Sequence, residues 1–74
     1  MASTEAKYNK LLTKVAANLK RIRNDKELSQ ANMEKLGFDL RNYQRLESGH
    51  HSPSLYTLHK LSIAFKVDVA EFFE

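Results

Sequence analysis

The sequence predicts an all-α protein, a compact globule of five short helices built around a central helical pair. Three observations predict it. Apolar residues recur at three- and four-residue steps in successive segments. No segment alternates apolar and polar residues long enough to make a strand. The two glycines and single proline of the 74-residue chain fall between the periodic segments, where helices are interrupted. A chain of this length makes one domain, taken as residues 1–74, with a modest core.

The first helix is predicted over residues 4–26, with residues 1–3 frayed because nothing ties them down. Leu12, Val15, Leu19 and Ile22 form its inner stripe, flanked by Tyr8, Leu11 and Ala16. A second, short helix opens at Ser29, whose hydroxyl can cap free amides of the first turn. It carries Ala31, Met33 and Leu36, and Gly37 ends it in the left-handed conformation. A third opens at Asp39, another capping residue, and carries Leu40, Tyr43 and Leu46 toward Gly49. The stretch 48–53 is a polar loop. Ser54 caps a fourth helix with Leu55, Leu58, Leu61 and Phe65 on its inner face. Asp68, followed three residues on by Glu71, is a capping-box pattern that opens a fifth helix near 68–74.

Composition narrows the function. A hydrophobic fraction of 42% belongs to a folded chain. With no cysteine, neither a disulfide framework nor a thiolate zinc site is available. The amino-terminal residues lack an apolar signal region and no stretch is long enough to cross a bilayer, so a soluble cytoplasmic protein with no membrane partner is expected. The net charge of +3 does not identify a nucleic-acid partner by itself. Its distribution is more informative: Lys7, Lys10, Lys14, Lys20, Arg21, Arg23 and Lys26 face only Glu5 and Asp25, while the charges from Glu27 onward nearly balance. A basic first third suits a surface facing phosphate, and equally a solvated helix face.

An enzyme is not expected. His50, His51 and His59 are the residues a metal or hydrolytic site would use, but adjacent histidines lack the i,i+4 ligand spacing and no acid stands at a useful distance. There is no phosphate-cradling glycine loop and no nucleophile–base pair. No catalytic residue, metal or cofactor is therefore assigned. RNA is a weaker partner than duplex DNA because no aromatic stacking platform is present.

Two short helices joined at a glycine form a helix-turn-helix unit, which places its second helix in the DNA major groove. Leu28-Ser29-Gln30, Leu36-Gly37-Phe38, Tyr43, Leu46-Glu47-Ser48-Gly49, Pro53-Ser54-Leu55, Leu58 and Leu61 follow one another in order. That series resembles the Cro/repressor-type, or XRE, helix-turn-helix family of small bacterial and phage transcriptional regulators, over residues 19–73. The resemblance implies a lambda-repressor-like DNA-binding domain and sequence-specific regulation of transcription, with the helix at about 39–48 reading double-stranded DNA. The contrasting expectation is an antitoxin or other protein-interaction module that binds DNA mainly in complex with a partner.

Once Phe38, Tyr43 and Leu46 hold the third helix to the core, Leu40, Arg41, Asn42, Gln44 and Arg45 remain outside. Arginine and glutamine make paired hydrogen bonds to base edges, and a leucine can meet a thymine methyl, so Leu40, Arg41, Gln44 and Arg45 are the expected base contacts. The resemblance implies phosphate contacts from Gln30 and from Ser48, His50, His51 and Ser52 in the following loop; Asn42 is grouped with them. It also implies a structural ion pair between Arg23 and Glu47. Two departures stand out. The spacing from Gln30 to Gly37 is one residue shorter than usual, with Asn32-Met33-Glu34 where the family commonly places Leu-Ala, and Tyr43 replaces a β-branched residue. The chain's end is more apolar than one small globule hides. One phenylalanine is expected to cover the core, and Val69, Phe72 and Phe73 supply the expected interface of a homodimer on an inverted-repeat operator.

Overall fold

The chain is organised along one long helix, α1 (Thr4–Asp25), whose main partners are the segments 40–48 and 69–73. The computed structural model describes residues 3–74. Among them are three α-helices, α1, α2 (Leu40–Ser48) and α3 (Leu55–Phe65), and two 3-10 segments, Ala31–Glu34 and Val69–Phe73. The all-helical expectation holds, but the five-helix count does not: the second and fifth elements are single tight turns. No helix among the described residues is long and apolar enough to cross a membrane.

α1 spans about 33 Å at 1.5 Å per residue, which sets the 42 Å longest dimension of the molecule. Ser3 is its cap, accepting a hydrogen bond from the Ala6 amide at 3.1 Å; residues 1 and 2 lie outside the described residues. Val15, Ala16, Leu19 and Ile22 are buried, whereas Tyr8 and Leu11 in the protruding first half are exposed.

The helix ends without glycine. Glu27 adopts φ 58°, and the Glu27 and Leu28 amides bond back to the Asn24 and Arg23 carbonyls. α3 ends the same way: Lys66 has φ 58°, and the Lys66 and Val67 amides reach the Ile63 and Ser62 carbonyls. Both are Schellman endings, in which the residue after the turn packs back on the helix. Leu28 and Val67 fill that position and pack against the core.

The shortened Gln30–Gly37 spacing has a structural answer. A 3-10 turn rises about 2.0 Å per residue against 1.5 Å for an α-helix, so four residues reach at least as far as five. Ser29 and Asn32 brace its start reciprocally: the Asn32 amide donates to Ser29 Oγ at 3.1 Å and the Ser29 amide donates to Asn32 Oδ1 at 2.8 Å. Met33 is then fully buried. Gly37, at φ 93°, turns the chain toward α2 in a conformation that strains any residue bearing a Cβ. Asp39 caps α2 through the Asn42 amide at 2.9 Å.

The core joins Val15, Leu19, Ile22, Met33, Tyr43, Leu46, Leu58, Leu61, Phe65 and Phe72. Leu55, placed on the inner face by its spacing from Leu58, is 78% exposed. It is the first residue after the Ser54 cap, where the chain is still entering the helix and has not reached the core. Asp68 caps the last 3-10 segment through the Ala70 amide, and Asn18 of α1 holds that segment by donating to the Phe72 carbonyl at 2.9 Å. Phe72 is wholly buried, so its expected place in a dimer interface is incorrect; Phe73 remains half exposed and Val69 packs partly against the core.

Phe72→Ala is expected to cost about 3–5 kcal/mol of stability by leaving a cavity in the core, and Phe73→Ala clearly less. Urea unfolding of the two variants measures both, and equal losses would contradict this packing.

Candidate nucleic-acid interface

α2 has two unlike sides. Tyr43 and Leu46 are buried against the core, while Arg41, Asn42, Gln44, Arg45 and Ser48 are exposed. Leu40, at the helix start, is half-buried, so only part of its side chain is available outside. The outer face is therefore short, polar and basic. Gly49 closes the helix at φ 79°, another position that favours glycine.

Glu47 lies on the inner side and forms the bidentate ion pair with Arg23. Arg23 Nε reaches Glu47 Oε2 at 2.6 Å and Nη2 reaches Oε1 at 3.1 Å, and both side chains are almost fully buried. The third guanidinium nitrogen donates to the Leu28 carbonyl at 2.6 Å, which ties the chain after α1 to the same cation. Burial alone would push the Glu47 carboxyl up. The hydrogen bonds from Arg23 and Gln30, the adjacent Tyr43 phenol and the Arg23 charge outweigh it, so the carboxyl titrates below its ordinary value. Bonding to Glu47 raises Arg23 further above its ordinary value, against the opposing effect of burial.

Gln30 occupies a different place from the free phosphate-gripping side chain that was expected. Its Nε2 donates to Glu47 Oε1 at 3.1 Å, and its Oε1 accepts from Gln44 Nε2 at 3.2 Å. One amide thus bridges the buried carboxylate and an exposed side chain of α2. This link escaped sequence reasoning because it joins positions 30, 44 and 47 through space; the only available signal was a glutamine at the start of the shortened segment.

Tyr43 carries the other unanticipated feature. Its ring packs edge-on to Phe38, at 6.3 Å between centres, but its hydroxyl is buried with no hydrogen-bond partner among the described residues. Burial, reinforced by the nearby Glu47 carboxylate, raises the phenol far above its ordinary value. The bulk of Tyr43 is accommodated, but its polar end is left unsatisfied.

The loop after α2 returns along the first half of α1. Ser48 Oγ donates to the Arg45 carbonyl at 2.6 Å and accepts from the His50 amide at 3.3 Å. Ser52 meets the Tyr8 hydroxyl. His50, His51 and Ser52 are exposed on the loop, which begins where α2 ends. Gln44, Arg41 and Arg45 thus share one helix, while the loop residues are grouped separately beyond its carboxyl end. His59 lies apart from His50 and His51, exposed on α3.

A family model described as Helix-turn-helix matches residues 19–72, which spans the end of α1 through Phe72. No curated protein and no solved structure matches the chain.

Glu47→Ala leaves the Arg23 cation buried and unpaired, which costs about 3–5 kcal/mol. The same pair sets an acid limit. The stabilisation from a lowered Glu47 is complete above its ordinary value of 4.5 and is lost as pH falls through the lower folded value. Thermal melts from pH 7 to pH 3 should show the wild type losing stability over that range, with a shallower slope in a Glu47→Gln variant that stays folded. Tyr43→Phe removes a buried hydroxyl without a hydrogen-bond partner, but also the phenol that helps hold the Glu47 carboxyl down, so the two effects offset and its stability is expected to stay within about 1 kcal/mol of the wild type.

Proposed function

Because the chain belongs to the helix-turn-helix family, of the Cro/repressor type its motifs resemble, we propose that it binds double-stranded DNA by sequence and regulates transcription. α2 enters the major groove and presents its outer side chains to base edges. The observation that carries this reading is the hydrogen-bonded run from Arg23 and Glu47 through Gln30 to Gln44.

Donor and acceptor chemistry gives the run a direction. An ionised carboxylate only accepts, so Gln30 must turn its Nε2 toward Glu47. Its Oε1 is then left facing Gln44, which must answer with Nε2. Gln44 consequently keeps its Oε1 and its second amide hydrogen free, an acceptor beside a donor. Adenine presents the complementary pair at N6 and N7, so Gln44 is the adenine reader. Gln30 also retains one amide hydrogen, enough to hold a phosphate oxygen while positioning Gln44. Its expected phosphate role and its observed bridging role are compatible.

Arg41 and Arg45 read guanine edges from the same exposed face, and the accessible part of Leu40 meets a thymine methyl. Asn42, Ser48, His50, His51 and Ser52 contact the sugar-phosphate backbone and set the register. The protein acts in the cytoplasm as a homodimer on an inverted repeat, with half-sites one helical turn, ~34 Å, apart. Occupancy of such a site blocks or recruits polymerase. No catalysis is involved.

A random-sequence DNA selection with purified protein tests this reading. Enrichment of an inverted repeat is expected; no preference for any duplex over a heparin-like polyanion at low ionic strength would overturn it. On the selected site, Gln44→Ala should weaken binding by about 1–3 kcal/mol and relax preference at one base pair. Gln30→Ala should relax preference at that same base pair. Lys20→Ala should weaken all sequences alike and lower the salt dependence by roughly one counterion.

A further inference from the structure

The first half of α1 carries an apolar cleft and, beside it, a row of lysines. Three of the seven large apolar side chains exposed among the described residues meet at the cleft: Tyr8, Leu11 and Phe73, at 44%, 42% and 40%. Val15, Pro53 and Leu58 also line it, and the Tyr8 hydroxyl meets Ser52 at its edge. The cleft encloses about 130 Å³. An apolar cavity of about 150 Å³ takes a benzene ring, so there is room for one side chain the size of leucine or phenylalanine. Lys7, Lys10 and Lys14 stand at i, i+3 and i+7 on one side of α1, all exposed, over two turns or about 10.5 Å. Leu11 lies four residues after Lys7 and three before Lys14, so the row borders the cleft. The ion pairs among the described residues are Arg21–Asp25 and Arg23–Glu47, so none of these three ammoniums has a carboxylate partner there. Glu5, the one acid in this half of the helix, falls on the opposite side at about 3.6 residues per turn. The row is also turned away from the reading helix. Gly49, at the end of α2, lies against Thr13 and Ala16 of α1, and Lys7 and Lys14 stand roughly 140° round the helix from those two, whereas Lys20 falls on their side.

We propose that the cleft and the lysine row together are a docking surface for an acidic segment of another protein, which seats one leucine or phenylalanine in the cleft and lays carboxylates along Lys7, Lys10 and Lys14. The two features select this occupant jointly. The cleft alone would accept any hydrophobic side chain, and the row alone would suit any polyanion. A duplex supplies phosphates but no apolar side chain to fill the cleft. A lipid surface supplies apolar area, but Tyr8, Leu11 and Phe73 surround a concavity that admits one side chain. A second copy docked by the same patch meets it about a two-fold axis, which sets lysine row against lysine row. An acidic segment with one apolar anchor satisfies both parts: the anchor is buried at the centre, and the carboxylates steer and orient it. The inference stands apart from duplex binding, since Ser52 is the only residue the cleft shares with those assigned to DNA.

A random-peptide display selection against the full chain tests the surface, followed by fluorescence anisotropy titration of an enriched peptide. Enriched peptides should combine one leucine or phenylalanine with several acids, and their affinity should fall as salt rises. Leu11→Ser and the double variant Lys7→Glu/Lys14→Glu, each checked for fold by circular dichroism, should raise the peptide's dissociation constant about tenfold or more. Ile63→Ser, on the exposed side of α3, should leave it unchanged. The double variant keeps the test open if Leu11→Ser fails to fold, because both lysines are exposed. No enrichment, enrichment of basic or purely apolar peptides, or peptides indifferent to these substitutions would overturn the proposal. Three further controls can each overturn it as well. Phosphatidylglycerol vesicles that bind the wild type and lose the double variant would assign the row to lipid. Self-association in sedimentation equilibrium that Leu11→Ser abolishes would assign the cleft to a second copy. A duplex affinity that falls in the double variant as steeply as the peptide affinity would assign the row to DNA.

Discussion

A carboxylate buried near the end of an otherwise basic helix is the constraint on which the rest depends. Taking Glu47 and Arg23 out of water costs several kcal/mol per ion unless each finds matched partners. The fold meets that demand almost completely: two guanidinium nitrogens bond the carboxylate, the third bonds the Leu28 carbonyl, and Gln30 supplies a further amide. Each partner comes from a different part of the chain, so one charge pair fixes the end of α1, the turn that follows it, the 3-10 segment and α2 relative to one another. An arginine suits this role where a lysine would not, because its planar fork offers donors in several fixed directions.

Around that centre the small elements are economical. A 3-10 turn replaces a second α-helix without losing reach, and two Schellman endings are made with Glu27 and Lys66 instead of glycine. Left-handed residues with a Cβ are less favourable than glycine, and here the packing of Leu28 and Val67 on the core offsets that strain. The unsatisfied Tyr43 hydroxyl is the opposite case, a polar group left over because the ring is needed against Phe38. The last 3-10 segment is held by Asn18 and by Phe72, which lets a short terminal turn close the core.

Much of this is legible in the amino-acid sequence. α1 was visible because its stripe recurs over many turns with no breaker inside, and its observed end lies one residue from the expected one. The Ser54, Asp39 and Asp68 caps were legible because capping is local chemistry, decided within three residues. The Arg23–Glu47 pair came from the family resemblance. Other features were hidden for identifiable reasons. Four residues contain too little periodicity to separate a 3-10 turn from an α-helix, though the missing residue before Gly37 was a clue. Spacing put Leu55 in register with Leu58 but did not show that the chain enters α3 from outside. The bridging of Gln30 depends on three positions brought together by the fold, and no local pattern encodes it.

The most direct test of the account is the motion of the Gln44 side-chain amide in the free protein. Side-chain 15N relaxation reports it on the picosecond-to-nanosecond scale, and Asn42, exposed on the same helix, supplies a mobile reference. If the buried pair orients the reading surface through Gln30, the Gln44 amide is markedly more ordered than that of Asn42, and Gln30→Ala frees it while the α2 backbone stays rigid. A Gln44 amide as mobile as Asn42 in the wild type, or unmoved by Gln30→Ala, would contradict the account.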